Sequence, residues 1–371
     1  MGGGALSAAN LSYHDPPEAS KVKAWHRSLN LSIKLTGELL FRRVWVHPCF
    51  TECDPARPRS GFARCDRRER GVLCAHDRVR RVRYSRAMRS VAAVAACLIP
   101  VVALANGRPP ITNGVKFRPG DNHSLYVATT FGLLVSHDDG CSFRWVCEQN
   151  IGYGGTFDPQ YRIATDGAIF ATTFTGLRVS RDGGCSFTTA TADKPAGDPG
   201  RIADVWISAI DIGPTGEVWV ATAENGRSNN IYRSTDNGLT FEPRSMLSPT
   251  IWWRSVAVAP SRAQRVYATG YQVADTLPDG GLGAPSTHFE ISDDSGANWR
   301  ESPLAGVAYG TMPLVFAVGV DRTNPDVVLM SSVGANPPTG DKLYRSTDGG
   351  TTWREVLATS QSIADVAVGK S

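Results

Sequence analysis

One eight-residue pattern occurs five times in this chain of 371 residues: Ser, any, Asp, any, Gly, any, any, aromatic. The copies carry Ser136, Asp138, Gly140 and Phe143; Ser180, Asp182, Gly184 and Phe187; Ser234, Asp236, Gly238 and Phe241; Ser292, Asp294, Gly296 and Trp299; and Ser346, Asp348, Gly350 and Trp353. Successive copies start 44, 54, 58 and 54 residues apart. Self-similarity at such a period is the mark of a propeller or a related repeat array.

Each copy has a local physical meaning. Short Ser and Asp side chains accept hydrogen bonds from backbone N–H groups a few residues on and close a turn. The glycine supplies a positive φ that other residues resist. The aromatic opens the returning strand and packs between sheets. Between copies the chain follows one plan, with three short apolar runs before each pattern and one after it. Turn residues recur between the first two runs, at Pro119-Gly120-Asp121, Pro214-Thr215-Gly216, Pro260-Ser261 and Asn324-Pro325-Asp326. The expected fold is all-β, a β-propeller of four-stranded blades. Five blades are visible, and 362–368 (SIADVAV) reads as one further strand, matching the first strand of a blade.

The pattern resembles the Asp-box, or bacterial neuraminidase repeat, of sialidases, sortilin-like receptors, xyloglucanases and photosystem II assembly factors. The resemblance implies that the boxes shape the fold and lie away from any active site. It also implies rings of six or more blades. Five blades and a strand therefore leave two expectations: the strand closes a five-membered ring against the first blade, or the chain is cut within a sixth repeat, which is the favoured reading.

Charge and cysteine divide the chain. Residues 1–87 hold 17 Lys and Arg against 8 Asp and Glu, and the rest holds 22 against 27. The repeats therefore offer no electrostatic case for nucleic acid. Residues 1–87 lack sustained periodicity. They admit a basic nucleic-acid arm, a zinc site from Cys49, Cys53, Cys65, Cys74 and His76 without paired C-x-x-C spacing, or an extension foreign to the natural protein. The next stretch favours the last. Met88-Arg89-Ser90 leads into an apolar run ending Ala103-Leu104-Ala105, so 88–105 has the anatomy of a secretory signal peptide. Its fifteen residues are too few for an ordinary membrane span. Val94-Ala95-Ala96-Cys97 also fits a lipoprotein box, with a lipid on Cys97. The mature propeller is then 106–371, secreted or held at the cell envelope, with no transmembrane span. Cys141, Cys147 and Cys185 suit an oxidising compartment, and their pairing stays open.

Strand order fixes two faces. The boxes join third to fourth strands, so all five tips share one face. Loops joining second to third strands, and blade to blade, share the other. The former run long at 224–229, 272–287 and 334–341, and long loops on a rigid scaffold are the usual place for binding. Trp252, Trp253 and Arg254 enter a first strand from that face, and Tyr153 and Tyr309 lie in its inter-blade loops. Aromatic faces beside an arginine suit a glycan or protein ligand, by stacking and cation–π contact. Alternation along a strand buries one of the two tryptophans. A metal reading of the five box aspartates yields to their role in turns.

Enzymatic readings are harder to assemble. A sialidase-like glycoside hydrolase needs three arginines, a Tyr–Glu pair and an acid. Tyr161-Arg162-Ile163 offers one arginine in an imperfect motif, and Arg254 a second. A xyloglucanase needs a second propeller, for which there is no length. Nothing in 106–371 resembles a Ser–His–Asp triad, a phosphate loop or a zinc motif, so neither cofactor nor metal is expected. The reading is a binding or scaffolding propeller, with a sialidase-like hydrolase or a photosystem II assembly factor as alternatives. N-terminal sequencing of the exported protein is expected to start at Asn106; peptides from 1–87 in a native sample would overturn the leader assignment.

Overall fold

The computed structural model describes residues 110–368, apart from 155–156, 245–248, 273–282, 311–313, 335–339 and 364, together with the backbone of two strands at 28–35 and 38–45. The expected signal peptide at 88–105, Cys97, and the proposed ligands Cys49, Cys53, Cys65, Cys74 and His76 lie outside the described residues. The chain divides into two compact units, 1–50 and 51–371. In the first, β1 (Ser28–Leu35) and β2 (Glu38–Trp45) pair as an antiparallel hairpin with Ser28 opposite Trp45. The hairpin is a local pattern within 1–87, a stretch without sustained periodicity. Leu29, Leu31, Ile33 and Leu35 alternate with Asn30, Ser32 and Lys34, the period of a strand.

The second unit is a β-propeller of five four-stranded antiparallel sheets. Blade 1 holds β3 (Thr112–Arg118), β4 (Asp121–Thr129), β5 (Gly132–Ser136) and β6 (Arg144–Cys147). Blade 2 holds β7 (Tyr161–Ile163), β8 (Ile169–Thr173), β9 (Gly176–Ser180) and β10 (Thr188–Thr189). Blade 3 holds β11 (Ile207–Ile212), β12 (Val218–Thr222), β13 (Ile231–Ser234) and β14 (Glu242–Pro243). Blade 4 holds β15 (Ile251–Ala259), β16 (Arg262–Gln272), β17 (Ser286–Ser292) and β18 (Arg300–Glu301). Blade 5 holds β19 (Val315–Val320), β20 (Val328–Ser332), β21 (Lys342–Ser346) and β22 (Arg354–Ala358). One helical turn, Glu148–Ile151, follows β6. Among the described residues no helix is long and apolar enough to cross a membrane.

The first strands of successive blades touch one another, so they form the inner wall. The core consists of layers between blades. Tyr126, Leu133 and Val146 meet Tyr161 and Ile169. Phe170 and Leu177 meet Ile210 and Val220. Trp219 and Ile231 meet Trp253 and Val258. Tyr267 and Phe289 meet Val315 and Tyr344. Hydrogen bonds stitch the inner strands as well. The Asn113 amide donates to Asp158 (2.6 Å), the Arg162 guanidinium to Asp211 (3.0 Å), the Val258 amide to the other Asp211 oxygen (2.9 Å), and the Ala317 amide to Ser255 Oγ (2.9 Å).

The five repeats close their turns in one way. The serine Oγ accepts from the backbone N–H at place five, at 2.7–3.0 Å. It donates to the aspartate at 2.7–2.9 Å. The aspartate then accepts both the backbone N–H and the side chain of place seven; at the last tip these come from Thr352 at 2.9 and 2.6 Å. Places four and five are both left-handed: Asp139 and Gly140, Gly183 and Gly184, Asn237 and Gly238, Ser295 and Gly296, Gly349 and Gly350. That explains the small or Asx residues at place four. Each aromatic from the second copy on fills the layer toward the preceding blade. Phe187 and Phe241 belong to theirs, and Trp299 and Trp353 pack against theirs.

The expected strand at 362–368 forms no ladder in its described residues. The segment nonetheless takes an inner position. Asp365 pairs with Lys116 of β3 at 3.2 Å, and a Cβ on Gly319 of β19 would meet Val368 at 2.5 Å.

The donors around each box aspartate favour its charged form. At Asp294 the backbone and side chain of Asn298 hold the carboxyl at about 2, and at Asp348 the hydroxyl and backbone of Thr352 do the same. At Asp182 burial pushes the other way, and the donors of Ser186 outweigh it. A depressed carboxyl stabilises the fold above its unfolded value of ~3.9 and loses that contribution as pH falls through about 2. Asp348→Asn is therefore expected to lower the melting temperature at pH 7. The gap to the parent protein should close as the pH is brought toward 2 in a series of thermal melts; a gap independent of pH would contradict the assignment.

Candidate functional site

The face opposite the box tips carries a row of aromatic rings across three blades. Phe157 lies in the loop between blades 1 and 2, and Phe174 between β8 and β9. Trp206 immediately precedes β11. Trp252 and Tyr271 stand opposite one another on β15 and β16. Phe157 and Phe174 meet edge to face with centroids 5.0 Å apart. Both reach Trp206, at 5.6 and 5.0 Å. Trp206 meets Trp252 at 6.2 Å, and Trp252 meets Tyr271 at 5.8 Å. Phe157 is 51% and Phe174 40% exposed; Trp206, Trp252 and Tyr271 are half-buried. Phe157 and Phe174 form the exposed end of the row, and a contiguous apolar patch of this kind is a candidate interaction surface.

Arg254 stands in this row because of a bulge. The β15–β16 register shifts between Trp253 and Ser255, leaving Arg254 as the extra residue. Bulges re-aim a side chain. Its guanidinium carbon lies 4.8 Å from the Trp206 ring centroid. Its buried Nε has no hydrogen-bond partner, and among the described residues no carboxylate pairs with it. Burial pushes the Arg254 guanidinium below its usual value, with Tyr271 pulling weakly the other way. Inner strands β3 and β11 carry bulges at the matching place, with Asn113 and Ser208 as the extra residues, whereas the β19 bulge, at Val318, lies two residues nearer the box face. Asn113 and Ser208 spend their side chains on neighbouring blades, bonding Asp158 and the Trp253 carbonyl.

The structure sorts the sequence candidates. Trp252 and Arg254 join the row. Trp253, which alternation left as one half of a choice, is wholly buried and belongs to the layer between blades 3 and 4. Arg162 is taken up by Asp211 and by the Tyr161 carbonyl, so it serves the inner wall. Tyr153 is half-buried and packs against the layer between blades 1 and 2. Tyr309 is 45% exposed but stands apart from the row. It lines a cavity of about 350 Å³ with Thr287, Glu301, Ser302, Pro303 and Leu304. Phe157, Phe174, Trp206 and Tyr271 escaped sequence reasoning. A signal existed: Phe157 and Trp206 precede first strands, as Trp252 opens one, so aligning the repeats on their first strands brings the three together. Cys141, Cys147 and Cys185 are all disulfide-bonded.

No family model matches the chain. A curated relative, xyloglucanase Xgh74A of Acetivibrio thermocellus, is 23% identical over 260 residues, 64% of this chain and 24% of the relative. The chain thus spans about a quarter of the length of the curated relatives it matches. Among solved structures, the GH74 xyloglucanase of Xanthomonas campestris is similar at 19% identity, with a TM-score of 0.48, 66% of this chain and 38% of that one covered. The Hadza microbial sialidase Hz136 is similar at 15% identity, with a TM-score of 0.42, covering 66% and 59%.

The two tryptophans of 252–253 are expected to behave oppositely on truncation. Trp253→Ala empties a core site and should cost about 3–5 kcal/mol of stability. Trp252→Ala, at a half-exposed ring, should leave the denaturation midpoint within about 1 kcal/mol of the parent protein. Equal losses in chemical denaturation would contradict the assignment of the two faces of β15.

Proposed function

We propose that this propeller is a glycan-binding module whose binding surface is the aromatic row Phe157, Phe174, Trp206, Trp252 and Tyr271, with Arg254 as its polar anchor. The observation that carries the reading is Arg254 itself. A guanidinium stacked on an aromatic face and lacking an acidic partner is expensive to keep half-buried unless a ligand completes it. The rings present apolar faces of the size of a pyranose, and the guanidinium offers a fork of donors for a ring hydroxyl or a sugar carboxylate. Similarity to part of a xyloglucanase is in keeping with a carbohydrate ligand.

Binding without cleavage is the better reading because acids near the row are engaged in the fold. Asp158 accepts from Asn113, Glu224 from the Trp206 backbone, Asp204 from Arg201, and Asp211 from both Arg162 and Val258. A glycosidase needs two carboxyl groups at liberty to move protons. The three disulfide-bonded cysteines support an oxidising compartment, in keeping with export through the leader read at 88–105.

The test is calorimetric titration with xyloglucan, uronic-acid and sialylated oligosaccharides. One of these classes is expected to bind, and Trp206→Ala and Trp252→Ala should each weaken it about tenfold, ~1.4 kcal/mol for a lost stacking platform. Arg254→Ala should weaken an acidic glycan more than a neutral one. Binding indifferent to both tryptophans, or release of reducing sugar or sialic acid during the titration, would overturn the reading.

A further inference from the structure

The outer strands of blade 4 bring together three groups that no other feature of the fold uses. His288 and Glu290 are two residues apart on β17, so they share a face, and Glu301 of β18 stands directly opposite Glu290. One ligand atom from each lies within 4.8 Å of the other two. Glu290 is 4% exposed. No hydrogen bond reaches its carboxylate among the described residues, and no arginine or lysine pairs with it or with Glu301. Its strand neighbour is Ala268, and His288 stands opposite Gly270. Neither Ala268 nor Gly270 has a side-chain donor to offer the carboxylate. Two carboxylates directly opposed across a ladder repel one another, and a buried acid without a partner is costly. Burial first, then the Glu301 charge, pushes the Glu290 carboxyl up to about 7.

We propose that His288, Glu290 and Glu301 form a binding site for a divalent cation of the zinc class. Imidazole with carboxylates is a donor set that such ions take. His288 is already oriented for it. Nδ1 faces Glu301 Oε1 at 3.1 Å, and Nε2 is held by Ser286 Oγ at 3.0 Å. That second contact fixes the ring as outer partners of metal-bound histidines do. Ligands about 2.0–2.2 Å from one tetrahedral ion lie ~3.3–3.6 Å apart. His288 Nδ1 and Glu301 Oε1 already stand near that separation, and binding would draw the three groups together by up to about 1.5 Å, through rotation of the side chains. The ion would neutralise the opposed carboxylates and tie β18, only two residues long, to β17. Three protein ligands leave a coordination position for water or for a ligand oxygen.

The experiment counts zinc bound by the full chain after dialysis, with the chain's other histidines and its cysteines setting the background. Glu290→Gln, isosteric and without charge, and His288→Ala are each expected to lose one equivalent relative to the parent. His123→Ala, which removes an exposed histidine 2.8 Å from Asp139 on the first blade, is expected to lose none. Zinc should raise the melting temperature of the parent and leave that of Glu290→Gln unmoved, whereas a merely structural Glu290 would change the baseline melt and not its response to zinc. An unchanged zinc count and an unchanged thermal response in both Glu290→Gln and the exposed-site variant Glu301→Gln would overturn the assignment.

Discussion

Each blade depends on a carboxylate that gathers donors at the tip of its outer hairpin. The fourth strands β10, β14 and β18 are two residues long, too short for a ladder alone to hold them. What fixes their position is the turn before them. There one aspartate accepts from the backbone and side chain of place seven, and one serine accepts from place five. With the turn fixed, the residue at place eight is delivered to the layer facing the preceding blade. Phe187 and Phe241 are buried there, and the indoles of Trp299 and Trp353 also bond Arg244 O and Ser302 Oγ. The core layers thus rest on small polar turns at the rim. Hydrophobic burial supplies most of the energy of such layers, but the turns decide where each aromatic arrives.

This arrangement divides the two faces by what their residues must do. On the box face nearly every side chain of the repeat is committed to its own turn. On the opposite face the inner-wall bulges of blades 1, 3 and 4 each re-aim one side chain near the entry to the first strand. Blades 1 and 3 use that side chain to bond the next blade. Blade 4 places Arg254 there and lays it on Trp206. The same backbone device makes a hydrogen-bonded stitch in one blade and a cation–ring contact in another, and the difference lies in whether the neighbouring blade offers a polar partner or an aromatic face.

Much of the fold was legible because the repeat marks the same turn five times, and a turn fixes both the strands beside it and the face it lies on. Blade count, strand order and the identity of the two faces followed from that. The inner position of 362–368 was legible too, but not its lack of a ladder, because hydrogen bonding belongs to a neighbour and not to the strand's own residues. At the site, only Trp252 and Arg254 could be read directly, since they sit side by side with an apolar strand behind them. Phe157, Phe174 and Trp206 are single aromatics in unlike loops, and what unites them is the closeness of blades 2, 3 and 4. Arg162 misled for the converse reason: its local motif looked available, and the acid that engages it, Asp211, lies on the next blade.

Accounting for partners separates the two kinds of polar group in this fold. Arg162, Asp211, Asn113 and the five box aspartates each have their donors or acceptors within the protein, so their chemistry is spent on structure. Arg254 and Glu290 do not. One is a half-buried cation resting on an aromatic ring, and the other a buried acid opposed by a second acid. Leaving a half-buried cation or a buried acid open is costly, and a bound ligand or ion would remove that cost. Their signs also differ: a cation beside rings calls for a sugar oxygen or a carboxylate, and paired acids beside an imidazole call for a metal. The two features sit on separate strands of blade 4, Arg254 on the inner wall and Glu290 on the outer hairpin, so each can be emptied by a single substitution while the blade that carries both stays folded.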